Sequence, residues 1–215
     1  MKEIFASFQG EGWWSGTACV FVRFAGCNIW TGREDDRTRD RRNGLCAAWC
    51  DTDFVGIDGE GGGVFDQETL VNHVRSRLVP RSPRPTVILT GGEPSLQVDE
   101  NLIEEFHRHD ISVHIETNGS KRLPASIDWV TMSAKPPTRS VLDRVDEVKL
   151  VFDPSVYDVD EHWRHDLPTG RHFLQPKWTP CQETWQANME ATRVEVERRP
   201  WWRLSLQTHK FIGRP

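Results

Sequence analysis

Seven short apolar runs, separated mostly by helical patterns and glycine-rich turns, limit what this chain can become. Residues 18–25 (ACVFVRFA), 86–90 (TVILT), 111–115 (ISVHI), 128–132 (DWVTM), 147–152 (EVKLVF), 171–174 (RHFL) and 203–206 (RLSL) read as strands. Between them Leu70, Val71, Val74 and Leu78 recur at helical spacing, as do Leu102, Ile103 and Phe106, and later Trp185, Met189 and Val196. Residues 51–66 hold Gly56, Gly59, Gly61, Gly62 and Gly63 and read as loop. Strands alternating with helices build a parallel sheet covered by helices. Two architectures satisfy this pattern, an open doubly wound sheet and a partial barrel. Both bind ligands at the carboxyl ends of their strands.

The chain has 215 residues, enough for one domain with a sizeable core, and no repeat or low-complexity linker divides it. With 27 Lys plus Arg against 32 Asp plus Glu, the net charge is −5, which argues against a general nucleic-acid binder. The mixed-sign run from Arg33 to Arg42 (REDDRTRDRR) reads as a solvated loop or helix face. No apolar stretch reaches the roughly 20 residues of a membrane span, and the N-terminus lacks a signal-peptide run. A cytoplasmic location is the expectation, and there thiols stay free or bind metal. Five cysteines also make poor arithmetic for a disulfide framework. Most of the ten tryptophans are expected in core or rim packing.

The segments with chemical character fall at strand ends. Cys27 follows the first run, Gly91–Gly92–Glu93 the second, Glu116–Thr117–Asn118 the third and Ser133–Ala134–Lys135 the fourth. Their convergence predicts one active site. Thiolates ligate iron–sulfur clusters and zinc, and Cys27, Cys46 and Cys50 supply three. Three ligands on a four-iron cluster leave one iron open to a cofactor. A structural zinc site is the competing reading, although zinc motifs usually pair cysteines at both ends and only one such pair occurs here. Cys46 and Cys50 are spaced too widely for a CxxC redox pair. Cys19 reads as core and Cys181 as structural or incidental. Arg23, charged among apolar residues, needs a carboxylate partner from the protein or a ligand.

Several motifs, in order along nearly the whole chain, carry a family resemblance. They are Phe8–Gln9–Gly10–Glu11–Gly12, Arg23–Phe24–Ala25–Gly26–Cys27, Trp49–Cys50–Asp51–Thr52, Thr90–Gly91–Gly92–Glu93–Pro94, Glu116–Thr117–Asn118–Gly119 and Gln207–Thr208–His209–Lys210. Together they resemble radical S-adenosylmethionine enzymes, and more narrowly the 7-carboxy-7-deazaguanine synthase family. That resemblance implies a single radical S-adenosylmethionine domain over 1–215, folded as a partial, TIM-like βα barrel with a mostly parallel sheet. It implies a lyase that contracts 6-carboxy-5,6,7,8-tetrahydropterin to 7-carboxy-7-deazaguanine with loss of ammonia, on the route to queuosine and other 7-deazapurines. The implied cofactors are a [4Fe–4S] cluster, S-adenosylmethionine and Mg2+. The implied partners are a flavodoxin or ferredoxin-type electron donor and a second copy in a homodimer.

Residue roles follow from the matching motifs. Cys27, Cys46 and Cys50 match the cluster ligands and Thr52 the magnesium ligand, with Asp51 and Asp53 as chemical alternatives. Trp49, Gly91, Gly92, Glu116, Asn118, Ser133, Ala134, Lys135 and the run Gln175, Pro176, Lys177, Trp178 match cofactor contacts. Phe8, Gln9, Gly10, Glu11, Arg23, Thr90, His209 and the terminal carboxylate of Pro215 match substrate contacts. Gln9 and Glu11 suit the amide and amine edge of a pterin, and Arg23 suits its carboxylate. His114 is assigned to the core. The cysteines depart from the superfamily's usual spacing, with 18 residues before Cys46 and three between Cys46 and Cys50. The small Ala47–Ala48 pair is expected to absorb the extra residue as a bulge. The competing functions are another small radical enzyme, such as a glycyl-radical activating enzyme, and a zinc-binding module.

Overall fold

The structure is a computed structural model that describes residues 1–48, 50–80, 82–156, 159 and 169–213. Eight strands form one sheet: β1 (Glu3–Phe8), β2 (Ala18–Phe24), β3 (Thr86–Gly91), β4 (Ser112–Thr117), β5 (Trp129–Ser133), β6 (Glu147–Phe152), β7 (His172–Pro176) and β8 (Trp202–Leu204). Their spatial order is their sequence order, β1 to β8. β1 runs antiparallel to β2, and every later pair is parallel. This order settles the architecture. A doubly wound sheet reverses direction at a switch point, whereas a barrel adds each strand beside the last. β1 and β8 do not pair, so the barrel is partial.

The helices lying wholly among the described residues are α1 (Arg37–Asp40), α2 (Gln67–Arg75), α3 (Glu100–His107), α4 (Gln182–Arg198) and α5 (Thr208–Phe211). Asp66 caps α2 by accepting from Thr69 N at 2.8 Å, and Asp99 caps α3 by accepting from Leu102 N at 2.9 Å. Leu70, Val71 and Val74 of α2, with Leu102, Ile103 and Phe106 of α3, pack against the sheet. Each fully buried aliphatic or aromatic side chain stabilises the fold by about 1.5–3 kcal/mol. α4 departs from its apolar pattern. Its most buried residues are Asn188 and Thr192, while Trp185 and Met189 are half-buried. Asn188 Nδ2 donates to Lys177 O at 2.9 Å and so ties the helix to the chain leaving β7. No helix among the described residues is long and apolar enough to cross a membrane.

The two-residue period of the strands positions the site. Val20, Val22 and Phe24 of β2, Val87 and Leu89 of β3, and Val113 and Ile115 of β4 face the helices. Their alternates, Arg23, Thr90 and Glu116, line the interior, as do Ser133, Lys149 and Gln175 of β5 to β7. The outer face is therefore apolar and the inner face polar. The interior is closed at its amino-terminal end by aromatic packing. Trp14 lies 5.3 Å from His114 and 5.3 Å from Trp129, while Arg84 and Arg171, just ahead of β3 and β7, cover Trp14 and Trp13. Burial pushes His114 down to about 4, so it is a neutral core imidazole, as the sequence reading assigned it.

Two strands also differ from the sequence reading. β1 was not expected. EIFASF has a mixed pattern, and its pairing with β2 makes it a strand. The last strand starts one residue earlier and ends two earlier than expected, and Ser205 beyond it donates to Gln175 Oε1 at 3.0 Å.

Candidate active site

A cavity of about 400 Å3 opens at the carboxyl ends of the parallel strands. Cys27, Cys46 and Cys50 all line it. Behind them Trp30, Ala47 and Phe54 form a small apolar cluster against which Cys27 and Cys50 pack. Burial pushes Cys46 up to about 11, with Lys135 pulling the other way, and burial also raises Cys27. Residues Leu45–Ala48 form a 3-10 turn, and Cys50 N donates to Cys46 O at 2.7 Å. Trp49 lies outside the described residues. Among the described residues no three His, Cys, Asp or Glu side chains converge as a single-ion site requires.

The insert before Cys46 is more than a solvated face. Arg37 donates to Ala47 O at 3.0 Å and to Cys50 O at 3.1 Å, and its guanidinium lies 4.4 Å from the Trp30 ring centroid. Asp40 is buried and accepts from Thr31 N at 3.0 Å. The charged run thus clamps the thiol loop.

The end of β3 joins this wall to the rest. A Cβ on Gly92 would overlap Gly26 O and come within 3.0 Å of Cys27 Cβ. Gly91, at φ +131°, would drive a Cβ into the Phe24 backbone. These two glycines let β3 meet the Cys27 loop. Glu93 is fully buried and pins the adjacent strand end: Oε1 accepts from Ser95 N at 3.0 Å and Thr117 Oγ1 at 2.6 Å, and Oε2 from Asn118 N at 2.7 Å. Asn118 Nδ2 donates to Asn28 Oδ1 at 2.9 Å, beside Cys27.

The cavity floor is built from four distant segments. Lys149 Nζ bonds Glu116 Oε2 at 2.9 Å and also Glu11 Oε2. Gln9 Nε2 donates to Glu116 Oε1 at 2.9 Å, and Gln207 Nε2 to Glu11 Oε1 at 2.8 Å. Burial alone would raise the Glu11 carboxyl, but Lys149, Gln207 and His209 outweigh it and hold it low. Burial likewise opposes the Lys149 charge, and the two carboxylates reverse the effect. The chain ends meet here. Thr208 N donates to Gly10 O at 2.9 Å, and a Cβ on Gly10 would overlap the His209 ring. Burial keeps His209 below its ordinary range.

Arg23 finds its carboxylate across the β1–β2 pair, where its Nε donates to Glu3 Oε1 at 2.7 Å. Thr90 is its neighbour on β3, and all three line the cavity. Thr52 lines it as well. The flanking carboxylates have lysine partners: Asp53 pairs with Lys2 at 2.8 Å and Asp51 with Lys210 at 3.7 Å.

Of the residues singled out by sequence, Gln9, Glu11, Arg23, Thr52, Thr90, Gly91, Gly92, Glu116, Asn118, Ser133, Lys135, Gln175 and His209 share this cavity with the cysteines. Phe8, Gly10, Ala134, Pro176, Lys177 and Trp178 are not among its lining residues. Lys177 pairs with Asp153 at 2.7 Å, and the Trp178 ring lies under Lys210 at 4.0 Å. Pro215 lies outside the described residues. The sequence reading missed Lys149, Arg37, Glu3 and the role of Gln207. Lys149 had a signal, a lone lysine two residues from Glu147 on the same face of an apolar strand.

No protein-family model matches the chain. It is 44% identical over 216 residues to the 7-carboxy-7-deazaguanine synthase of Bordetella pertussis, an alignment covering 100% of this chain and 98% of that protein. It is 44% identical over 220 residues to the enzyme of the same name from Nitratidesulfovibrio vulgaris, with 100% and 98% covered. The crystal structure of QueE from Escherichia coli is similar at a TM-score of 0.65 and 25% identity, over 97% of this chain and 93% of that one.

Proposed function

Because this chain belongs to the 7-carboxy-7-deazaguanine synthase family, we propose that it is a radical S-adenosylmethionine lyase converting 6-carboxy-5,6,7,8-tetrahydropterin to 7-carboxy-7-deazaguanine with loss of ammonia, on the route to queuosine. The observation that carries this is the meeting of two residue sets on one cavity. Three thiols line it together with Gln9, Glu11, Arg23, Thr90 and His209. The relatives do not favour a glycyl-radical activating enzyme, since they bear the synthase name over their whole length.

Cys27, Cys46 and Cys50 would hold a [4Fe–4S] cluster, and the donor set fits it: three soft ligands, an apolar backing and room in front. A cluster held there would supply the electron for reductive cleavage of S-adenosylmethionine. The strand-end residues Gly91, Gly92, Asn118, Ser133, Lys135 and Gln175 are suited to contact that cofactor. Thr52 is the proposed magnesium ligand. Support for it is a cavity-facing hydroxyl between two carboxylates already paired with lysines.

The chain's other residues bind and orient the pterin. Glu11 offers carboxylate oxygens to its N–H edge, and we place Glu116, hydrogen-bonded to Gln9, on the same side. Arg23, steadied by Glu3, is suited to the ligand carboxylate. His209, kept neutral by burial, offers an imidazole that can take or return a proton. A flavodoxin or ferredoxin-type donor, a homodimeric assembly and a cytoplasmic location complete the proposal.

The test is anaerobic turnover of purified protein with the tetrahydropterin, S-adenosylmethionine, magnesium and a reductant. Mass spectrometry should show 7-carboxy-7-deazaguanine, with ammonia released in step. Reductive cleavage of S-adenosylmethionine without any conversion of the pterin would overturn the substrate assignment.

A further inference from the structure

Lys149 belongs to none of the motifs that carry the family resemblance, yet it stands at the centre of the cavity floor. Its side chain is 3% exposed and bonds carboxylates from two separate elements, the β1–β2 loop and β4. We infer that Lys149 is a positioning residue that fixes Glu11 and Glu116 as a paired acceptor surface for a ligand edge rich in N–H donors. This deepens the substrate reading given above and rests on it.

The geometry explains why a lysine is needed. Glu11 and Glu116 each give one oxygen to the same ammonium, and their other oxygens accept from Gln207 and Gln9. All four oxygens are held in place, and each keeps lone-pair capacity for a ligand. Without the ammonium, two carboxylates would share a poorly hydrated site, and like charges there cannot both ionise. One would keep its proton near neutral pH and become a donor. A donor facing the N–H edge of an aminopyrimidinone loses a hydrogen bond and leaves two donors opposed.

No other group around the floor takes over this task. Glu147, on the same strand, is raised by burial and accepts from Trp13 N at 2.8 Å and Thr131 Oγ1 at 2.9 Å. His209 is held neutral, and Lys210 is engaged by Asp51 and the Trp178 ring. The thiol of Cys19, which feels Glu116, is pushed up to about 12. Lys149 acts through the two carboxylates, so it is a positioning and not a catalytic residue.

The test is calorimetric binding of 7-carboxy-7-deazaguanine to the full chain without reductant, from about pH 6.5 to 8.5. Wild-type affinity should be flat across this range. Lys149→Met should bind on the order of 100-fold more weakly near pH 7 and regain affinity as pH rises, because deprotonating the shared carboxyl restores the second acceptor. The double variant Lys149→Met/Glu116→Gln, with one carboxylate left, should stay weak but lose that pH dependence. It also removes the unpaired second charge, should the single variant fail to fold. Equal affinity and the same flat profile in Lys149→Met would overturn the inference, as would a pH limb persisting in the double variant. A wild type that binds no product would instead sink the substrate reading.

Discussion

At the thiol loop, burial pushes Cys27 and Cys46 up, with Lys135 pulling Cys46 the other way. On the floor, Glu11 and Glu116 share the buried Lys149 ammonium, which helps hold Glu11 low, and Gln9 and Gln207 fill the remaining bonds. The floor is preorganised by its own charges. The thiol side instead has its ligands clamped by Arg37 and packed on Trp30, Ala47 and Phe54, and an incoming metal must displace their protons. A change on the thiol side should therefore read out in metal loading, and a change on the floor in substrate affinity.

The strongest test of this contrast is Cys46→Ala. It removes a ligand without touching the floor, so anaerobically purified protein should lose most of its iron and sulfide. Turnover should fall by about 1,000-fold or more, the scale of losing an essential group. Product binding, measured by calorimetry, should stay within a few-fold of wild type. A full cluster in this variant would show that Cys46 is not a ligand.

Gly92→Ala comes next. Its Cβ would overlap the Gly26 carbonyl, a backbone atom that cannot rotate away. Either β3 or the Cys27 loop must move, at a cost of about 3 kcal/mol, in the range of severe overpacking. Urea unfolding should show that loss together with reduced iron content. Arg37→Met should follow with the same signature at smaller size. It removes two charged hydrogen bonds to Ala47 O and Cys50 O and the stacking on Trp30, about 2 kcal/mol in all. If iron content were unchanged while stability fell, the clamp would be serving the insert alone and not the thiols.

The two sides also differ in how far they could be read from sequence. Cys27, Gly91–Gly92 and Asn118 follow strands that apolar runs announce, so their meeting follows from the carboxyl-end rule shared by both candidate architectures. The floor needs contacts between residues 9–11, 116, 149 and 207, and no local pattern links these. Gln9, Glu11 and His209 were legible through motif resemblance. Lys149 was not, because it lies mid-strand with no motif around it. Arg37 was hidden for a different reason: in a run of mixed charges, nothing in the sequence says which guanidinium turns inward. β1 was missed because its partner, and not its own pattern, makes it a strand. Strand order itself, which separates a barrel from a doubly wound sheet, is a property of long-range pairing.

The smallest expected effect is the floor's counterpart of the Gly92 change. Gly10→Ala places a Cβ on the imidazole of His209 and 2.9 Å from its backbone nitrogen. Unlike the Gly26 carbonyl, the ring can swing aside about its side-chain torsions and the backbone nitrogen need give only slightly, so the stability loss should be about 1 kcal/mol. His209 feels the Glu11 charge, and turning it away removes one of the influences that keep that carboxyl low. The Lys149 and Gln207 contacts remain, so Glu11 should stay ionised at neutral pH. The expected result is an unchanged iron content, a near-normal unfolding curve and a several-fold rise in the pterin KM, because the imidazole is misplaced while the acceptor pair survives. Loss of iron in Gly10→Ala would break the contrast, since it would mean that the floor and the thiol side are mechanically one unit. An unchanged KM would place His209 outside the binding surface, leaving Glu11, Glu116 and Arg23 to hold the substrate.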